Sequence, residues 1–257
     1  MIEAYLGELR APFLPLAMGS TDAGVKRAQE WLCFQGFATG IDGDYGPATR
    51  AAVIAFQQAR GCLRDHNEGT VDAETWGALS APLANAEGLS GIVDGSFGEA
   101  VCRLARTHLA AKAREVGGDT RGPWVRHYCR GPSVAWCQGF ASTLWCNAAR
   151  RRQMVDLPIR LVDDQGALSL FVPWVVNQAK AARRFRAGRD PAPVPIGSFF
   201  FVPGGEYGYL HVGIVTSDDG TTISTIEGNT NHDGSANGYE VAARFRRKAA
   251  CDYGLAS

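Results

Sequence analysis

The chain has no excess of either charge: 26 Lys and Arg residues are matched by 26 Asp and Glu residues. A nucleic-acid binder ordinarily carries a basic excess or stripe, so no nucleic-acid partner is expected. The run Arg150-Arg151-Arg152 and the pair Arg183-Arg184 read as solvated helix faces. Long apolar runs are also missing. None approaches the roughly 18 residues of a membrane-spanning helix, so no membrane insertion is expected. The opening stretch, MIEAYLGELRAPFLPLAMGS, places acidic residues ahead of its apolar part and breaks that part with proline. This makes a poor secretory signal. The expectation is synthesis in the cytoplasm, with release or export by other means. The cysteines show no pairing pattern. There are seven, an odd number, with no CxxC pair and no Cys/His cluster at zinc spacing. Reduced thiols are the simplest state, and no metal and no cofactor are expected. A Cys33–Cys62 bridge has no support in the pattern.

What is present comes in two parts. Residues 20–80 read as three short helices. Asp22 can cap a helix whose apolar positions Val25, Ala28 and Leu32 share one face. A Gly/Asp-rich loop follows, then Pro47 at a helix start, Ala52, Val53 and Phe56 on an apolar face, and Gly61 as a stop. Asp72 caps a third helix with Trp76 and Leu79 inward. The pattern Val25, Gln29, Leu32, Gly36, Asp42-Gly43, Tyr45-Gly46, Thr49, Ala52-Val53, Phe56-Gln57, Gly61, Val71-Asp72, Thr75-Trp76 and Leu79 resembles the three-helix peptidoglycan-binding domain of cell-wall hydrolases. The resemblance implies peptidoglycan as the partner, held in a shallow groove, with Asp44, Tyr45 and Arg50 as groove residues. Two departures stand out: Cys62 where a leucine is usual, and a longer stretch at 64–68.

The organisation expected is an N-terminal extension (1–19), the helical module (20–80), a small-residue linker (81–95) and a second domain (96–257). The second domain opens with helical patterns near 97–115, 123–130 and 137–150, then an irregular or helical insert to about 188. The runs SFFFVP, HVGIVTSDD and TTISTIEGN are apolar and β-branched, bounded by Gly, Asp and Pro. They read as a buried antiparallel sheet. Helices followed by strands define an α+β domain.

Within that frame one cysteine stands apart. Cys137, in VAWCQGF, falls at the start of a helical pattern. A helix N-terminus stabilises a thiolate through its free N–H groups and dipole, and the backbone N–H groups of Cys137 and Gln138 suit an oxyanion hole. Trp136 is expected beside the substrate. The other cysteines (33, 62, 102, 129, 146 and 251) read as packing residues. Of the five histidines, His211 opens a strand, which fixes a ring better than the loops holding His66 and His232; His108 and His127 lie in other segments. The SDDG turn makes a hairpin of strands 211–217 and 221–227, which brings Glu227 opposite the strand start where His211 sits. Asn229, two residues on, would share its face. The loop after Asn229, with Asp233, has acidic residues but no EF-hand spacing.

WCQGF, HVGIV and EGN, in that order, resemble the CHAP family of cysteine, histidine-dependent amidohydrolases and peptidases. RGPWVRHYCRG and PIGSFFF match that family's framework. The resemblance implies a papain-like fold, Cys137 as nucleophile, His211 as general base and acid, and Glu227 and Asn229 as orienting residues. Gln138 replaces a small residue and is expected to narrow the cleft; Ser198 stands where an aspartate is common. Together the two resemblances imply a monomeric peptidoglycan hydrolase, an N-acetylmuramoyl-L-alanine amidase or a peptide endopeptidase, bacteriolytic in the manner of a phage endolysin. An exported antibacterial effector with the same chemistry, a wall-binding protein with an inactive papain-like domain, and a cytosolic thiol peptidase or transferase with an unrelated helical module are the competing expectations.

Overall fold

Three helices form where the sequence places their caps. The computed structural model describes residues 7–12, 15–88, 95–231 and 237–257. Helix α1 (Ala23–Phe34) starts at Asp22, whose carboxylate accepts the Val25 N–H at 2.9 Å. Helix α2 (Pro47–Arg60) begins with its proline and stops at Gly61, which takes the left-handed conformation with φ 69°. Helix α3 (Ala73–Glu87) is capped by Asp72, which accepts the Thr75 N–H at 2.8 Å. All eight apolar positions foreseen from spacing are buried. Two fully buried glutamines fasten the loops. Gln29 donates to Asp42 and accepts from the Asp42 and Gly43 N–H groups. Gln57 donates to the Asn67 and Thr70 carbonyls and accepts from Gly69. The longer stretch at 64–68 is filled by Asn67, which is buried and bonds the Cys62 carbonyl and Asp72.

The first part of the expected linker is helix. Helix α3 continues through Pro82 to Glu87, and the rest of the 81–95 segment lies mostly outside the described residues. A proline inside a helix deprives the carbonyl four residues earlier of its partner. Here that carbonyl, on Ala78, accepts from the Gln35 side chain at 3.1 Å, and Gln35 also reaches Leu79 at 2.8 Å. Gln35 comes from the end of α1, so tertiary structure repairs what the local sequence breaks.

Helix α4 (Phe97–Ala110) carries a capping box between Ser96 and Glu99. It ends five residues earlier than its apolar pattern suggests, because 113–115 leaves the helix to bond with 239–241. Helices α5 (Pro123–Cys129) and α6 (Cys137–Arg151) follow, and the insert holds α7 (Val172–Ala181) and the short strand β1 (Phe185–Arg186). Then come β2 (Phe199–Pro203), β3 (Tyr209–Asp218), β4 (Thr222–Thr230), β5 (Glu240–Arg247) and β6 (Asp252–Gly254). The strands form one antiparallel sheet in the order β1-β6-β2-β3-β4-β5. The fold is α+β. Strands β3 and β4 make the expected hairpin, with Asp219 accepting the Thr221 and Thr222 N–H groups in its turn. Ser198 is buried and accepts the Ala256 N–H at 3.0 Å, tying the chain end to β2.

Helices α4 and α6 pack on β3 and β4. The module packs on them in turn. Trp31 of α1 meets Trp124 of α5 with ring centroids 6.2 Å apart, and Phe34 meets the same ring at 5.8 Å. Arg114 donates to the Phe34 carbonyl, and Thr107 to that of Ala86. One apolar core runs from the module into the sheet. Among the described residues, no helix is long and apolar enough to cross a membrane.

Candidate active site

Helix α6 begins at Cys137 with no side-chain cap, and its first helical bond runs from the Phe140 N–H to the Trp136 carbonyl at 2.8 Å. The N–H groups of Cys137 and Gln138 precede that bond and have no place in the helical ladder. Their partial positive charge therefore falls at the thiol. Two glycines let the helix end sit close to its neighbours. A Cβ on Gly139 would come 2.7 Å from the Tyr128 carbonyl oxygen. A Cβ on Gly228 of β4 would come 2.7 Å from both Phe140 and Trp136.

His211, on β3, is 1% exposed. Its Nε2 lies 2.9 Å from Glu227 Oε2. Its Nδ1 has no nitrogen or oxygen partner, and the Cys137 sulfur interacts with the ring. Burial by itself disfavours the charged ring, but hydrogen bonding and charge from Cys137 and Glu227 outweigh it and raise the His211 pKa to about 9. For Glu227, burial would raise the pKa, but the Arg246 guanidinium, then His211, hold it down at about 2.

The hairpin juxtaposes the pair diagonally rather than directly. The ladder matches Ile214 with Ile226, which sets Glu227 beside Gly213. A Cβ on Gly213 would meet Glu227 Cγ at 3.0 Å and Phe200 at 2.7 Å. The missing side chain is what lets the carboxylate pass along the sheet to His211.

The structure adds residues that sequence reasoning missed. Arg246 on β5 grips both Glu227 oxygens, Nε to Oε1 at 2.6 Å and a terminal nitrogen to Oε2 at 2.5 Å. Thr225 donates to Oε1 at 2.6 Å. The signal for Arg246 was weak, because β5 is an edge strand whose outer half is not apolar. A second buried cluster also went unseen. His127 Nε2 is 2.6 Å from Glu87 Oε1, Asn147 donates to Glu87 Oε2, and His108 Nδ1 is 2.7 Å from the Tyr128 hydroxyl. Burial, only partly offset by Glu87, lowers His108 to about 4.

Several expected roles need correction. Trp136 is fully buried: its Nε1 donates to Glu115 at 2.9 Å and its ring stacks on Tyr128. It positions the start of α6 and contacts no open groove. The Gln138 side chain folds back onto Ser142 at 2.8 Å inside the helix, so it does not narrow a cleft. Asn229 is buried, but it lies in the left-handed region with φ 56° where β4 bulges between Glu227 and Thr230. The bulge breaks the alternation that would have paired it with Glu227, and its side chain has no hydrogen-bond partner among the described residues. Among the described residues, Glu227 is the side chain hydrogen-bonded to His211. In the module, Tyr45 is a core residue, 2% exposed, with its hydroxyl donating to the Gly69 carbonyl. Arg50 pairs with Glu68 at 2.8 Å on the surface, while Asp44 is exposed on a shallow cavity.

All seven cysteines are free, and only Cys33 is less than fully buried. Burial raises Cys102, Cys146 and Cys251 to about 11. It raises Cys129 to about 12, with the adjacent Cys137 adding to the shift. These stay protonated packing groups. His66 is exposed; His232 and Asp233 lie outside the described residues. Among the described residues no group of three or more His, Cys, Asp or Glu side chains is arranged to hold a metal ion.

Residues 21–79 match the family of peptidoglycan binding domains. The N-terminal helices therefore form a peptidoglycan-binding module, and the protein associates with the cell wall. Comparison with curated proteins and with solved structures gives no match.

Proposed function

We propose that this protein is a cysteine-dependent peptidoglycan hydrolase with a CHAP-like, papain-like catalytic domain. The observation that carries the reading is His211, clamped on one side by a buried, ionised Glu227 and neighboured on the other by a thiol at an uncapped helix N-terminus. A triad needs a nucleophile, a base and a group that orients the base.

In this reading the Cys137 thiolate attacks the carbonyl carbon of a wall amide, forming a C–S bond. The carbonyl oxygen takes up the negative charge beside the Cys137 and Gln138 N–H groups. The intermediate collapses with cleavage of the C–N bond, and imidazolium His211 gives its proton to the leaving amine. Neutral His211 then takes a proton from water as it attacks the thioester, releasing a carboxylic acid and restoring the thiolate. Glu227 holds the ring in place and stabilises its charge throughout. The bond is either the one between muramic acid and L-alanine or one within the stem or cross-bridge peptide. The site of action is the cell wall, reached after release or export.

The test is digestion of purified sacculi by the wild type and by Cys137→Ala, with fragments identified by mass spectrometry. New amine termini from the wild type alone are expected, and their identity names the bond. Equal inactivity of both proteins across several cross-link chemistries would transfer the protein to the class of wall-binding proteins. The rate should also fall as pH rises through about 9, where His211 loses the proton the leaving amine needs. A flat profile up to pH 10 would contradict the assigned role.

A further inference from the structure

Two cavities on the module side of the molecule share a wall. The first, of about 440 Å³, lies where α1 faces the segments flanking α5, with Lys26, Arg27 and Glu30 across from Arg121, Arg126 and Ser133. The second, of about 340 Å³, lies on the module loop, with Asp22, Asp42 and Asp44 in its lining. Ala23 and Lys26 line both. Ser133 also lines the first cavity, four residues before Cys137 in the chain. A strand lying along both cavities would pass from the module loop to the segments flanking α5.

The charges in this seam are unequal in availability. Arg126 is spent on Glu8 at 3.0 Å and Glu30 at 2.5 Å, and Arg27 lies 3.6 Å from Glu8. The Lys26 and Arg121 side chains are exposed; the Lys26 charge acts on Glu30, which Arg126 already holds. They face one cavity from the two halves of the molecule, Lys26 from the module and Arg121 from the segment leading into α5. Two exposed cations across a concave seam, with its buried carboxylate already held by Arg126, attract an anion that fits between them. At the outer end the Asp44 carboxylate is unpartnered among the described residues, so the track changes sign along its length. Stem peptides of peptidoglycan carry carboxylates and amines on one chain, and this is the charge pattern such a track accommodates.

We infer that the two cavities form one binding track from the module loop to the segments flanking α5, and that Lys26 and Arg121 take the carboxylates of peptidoglycan stem peptides along it. The inference rests on the peptidoglycan-binding part of the proposed function for its ligand, but not on catalysis. It is therefore tested with full-length Cys137→Ala, which stays on the wall without cutting it. Retention is measured on sacculi stripped of accessory polymers, with and without amidation of their carboxylates, and with the added pair Lys26→Glu and Arg121→Glu. Both changes sit at exposed positions. Each arm, amidation or charge reversal, should weaken retention about tenfold, and the two together should do little more than either. Retention that is indifferent to amidation, or unchanged by the double substitution, would overturn the track. Retention that disappears once phosphate-bearing accessory polymers are stripped would overturn it too, by assigning the cations to phosphate. A wild type that fails to digest sacculi while these arms behave as expected would sink the hydrolase reading and leave the track standing.

Discussion

Gly213 and Arg246 show how much of the candidate site is set by residues that do not react. A Cβ at Gly213 has no room beside Glu227 and Phe200, so Gly213→Ala should push the carboxylate off its line to His211. We expect a loss of sacculus digestion of at least about tenfold, the scale on which small displacements of reacting groups act. The thiol should remain titratable by an alkylating reagent, which separates a displaced base from a collapsed fold. Arg246→Met would strip Glu227 of the cation that outweighs its burial. The Glu227 pKa should rise, the His211 pKa should fall with the weakened partner, and the alkaline limit of activity should move below about 9. Breaking one side of a buried ion pair typically costs about 3–5 kcal/mol, so urea denaturation should register the change as well. For the folded protein the sign follows from the shifts. The raised His211 pKa stabilises the fold up to its unfolded value near 6.5 and is lost as pH rises through about 9. The lowered Glu227 pKa stabilises it above about 4.5 and is lost as pH falls towards 2.

Among the elements, α3 carries the clearest prediction. Gln35→Ala leaves the Ala78 carbonyl without a partner beside Pro82. A buried group left unpaired costs about 1–3 kcal/mol, and thermal melting should show it, whereas Gln35→Ala combined with Pro82→Ala should recover much of the loss. The same helix marks the boundary of what the sequence revealed. Caps, apolar faces and the β3–β4 hairpin were legible because each is specified within a few residues, as at Asp22, Gly61 and Asp219. Cys137, His211 and Glu227 were legible because each sits at a distinct element boundary or register position. The helical course through Pro82 was hidden, because the residue that rescues it lies 43 positions away. Arg246 was hidden for a related reason: it acts across a strand whose own pattern is half polar. Asn229 was misjudged, since a bulge leaves no trace in simple alternation.

At the scale of the whole molecule, the shared core predicts a single unfolding event. Trp31 and Trp124 are both fully buried against each other across the junction, and the Glu87 cluster joins α3 to α4, α5 and α6. Calorimetry should show one cooperative transition for the full chain, and two well-separated transitions would refute the coupling. The junction should also be acid-sensitive. His108 is neutral in the fold down to about pH 4, while the unfolded chain takes up that proton near 6.5. Stability from this group is therefore in place above about 6.5 and is lost progressively as pH falls from there to 4.

The burial of Trp124 against α1 bears on any attempt to recombine such proteins. Wall-binding proteins invite exchange of one targeting segment for another, as though the parts were beads on a thread. Here a graft made at residues 81–95 would cut through a helix and bare a tryptophan, a glutamate and two histidines that now see no water. A usable chimera would have to carry the α1 and α3 surfaces along with the graft, or rebuild Trp124 and the Glu87 cluster for an aqueous life. The unit of inheritance in this chain is the pair, not the part.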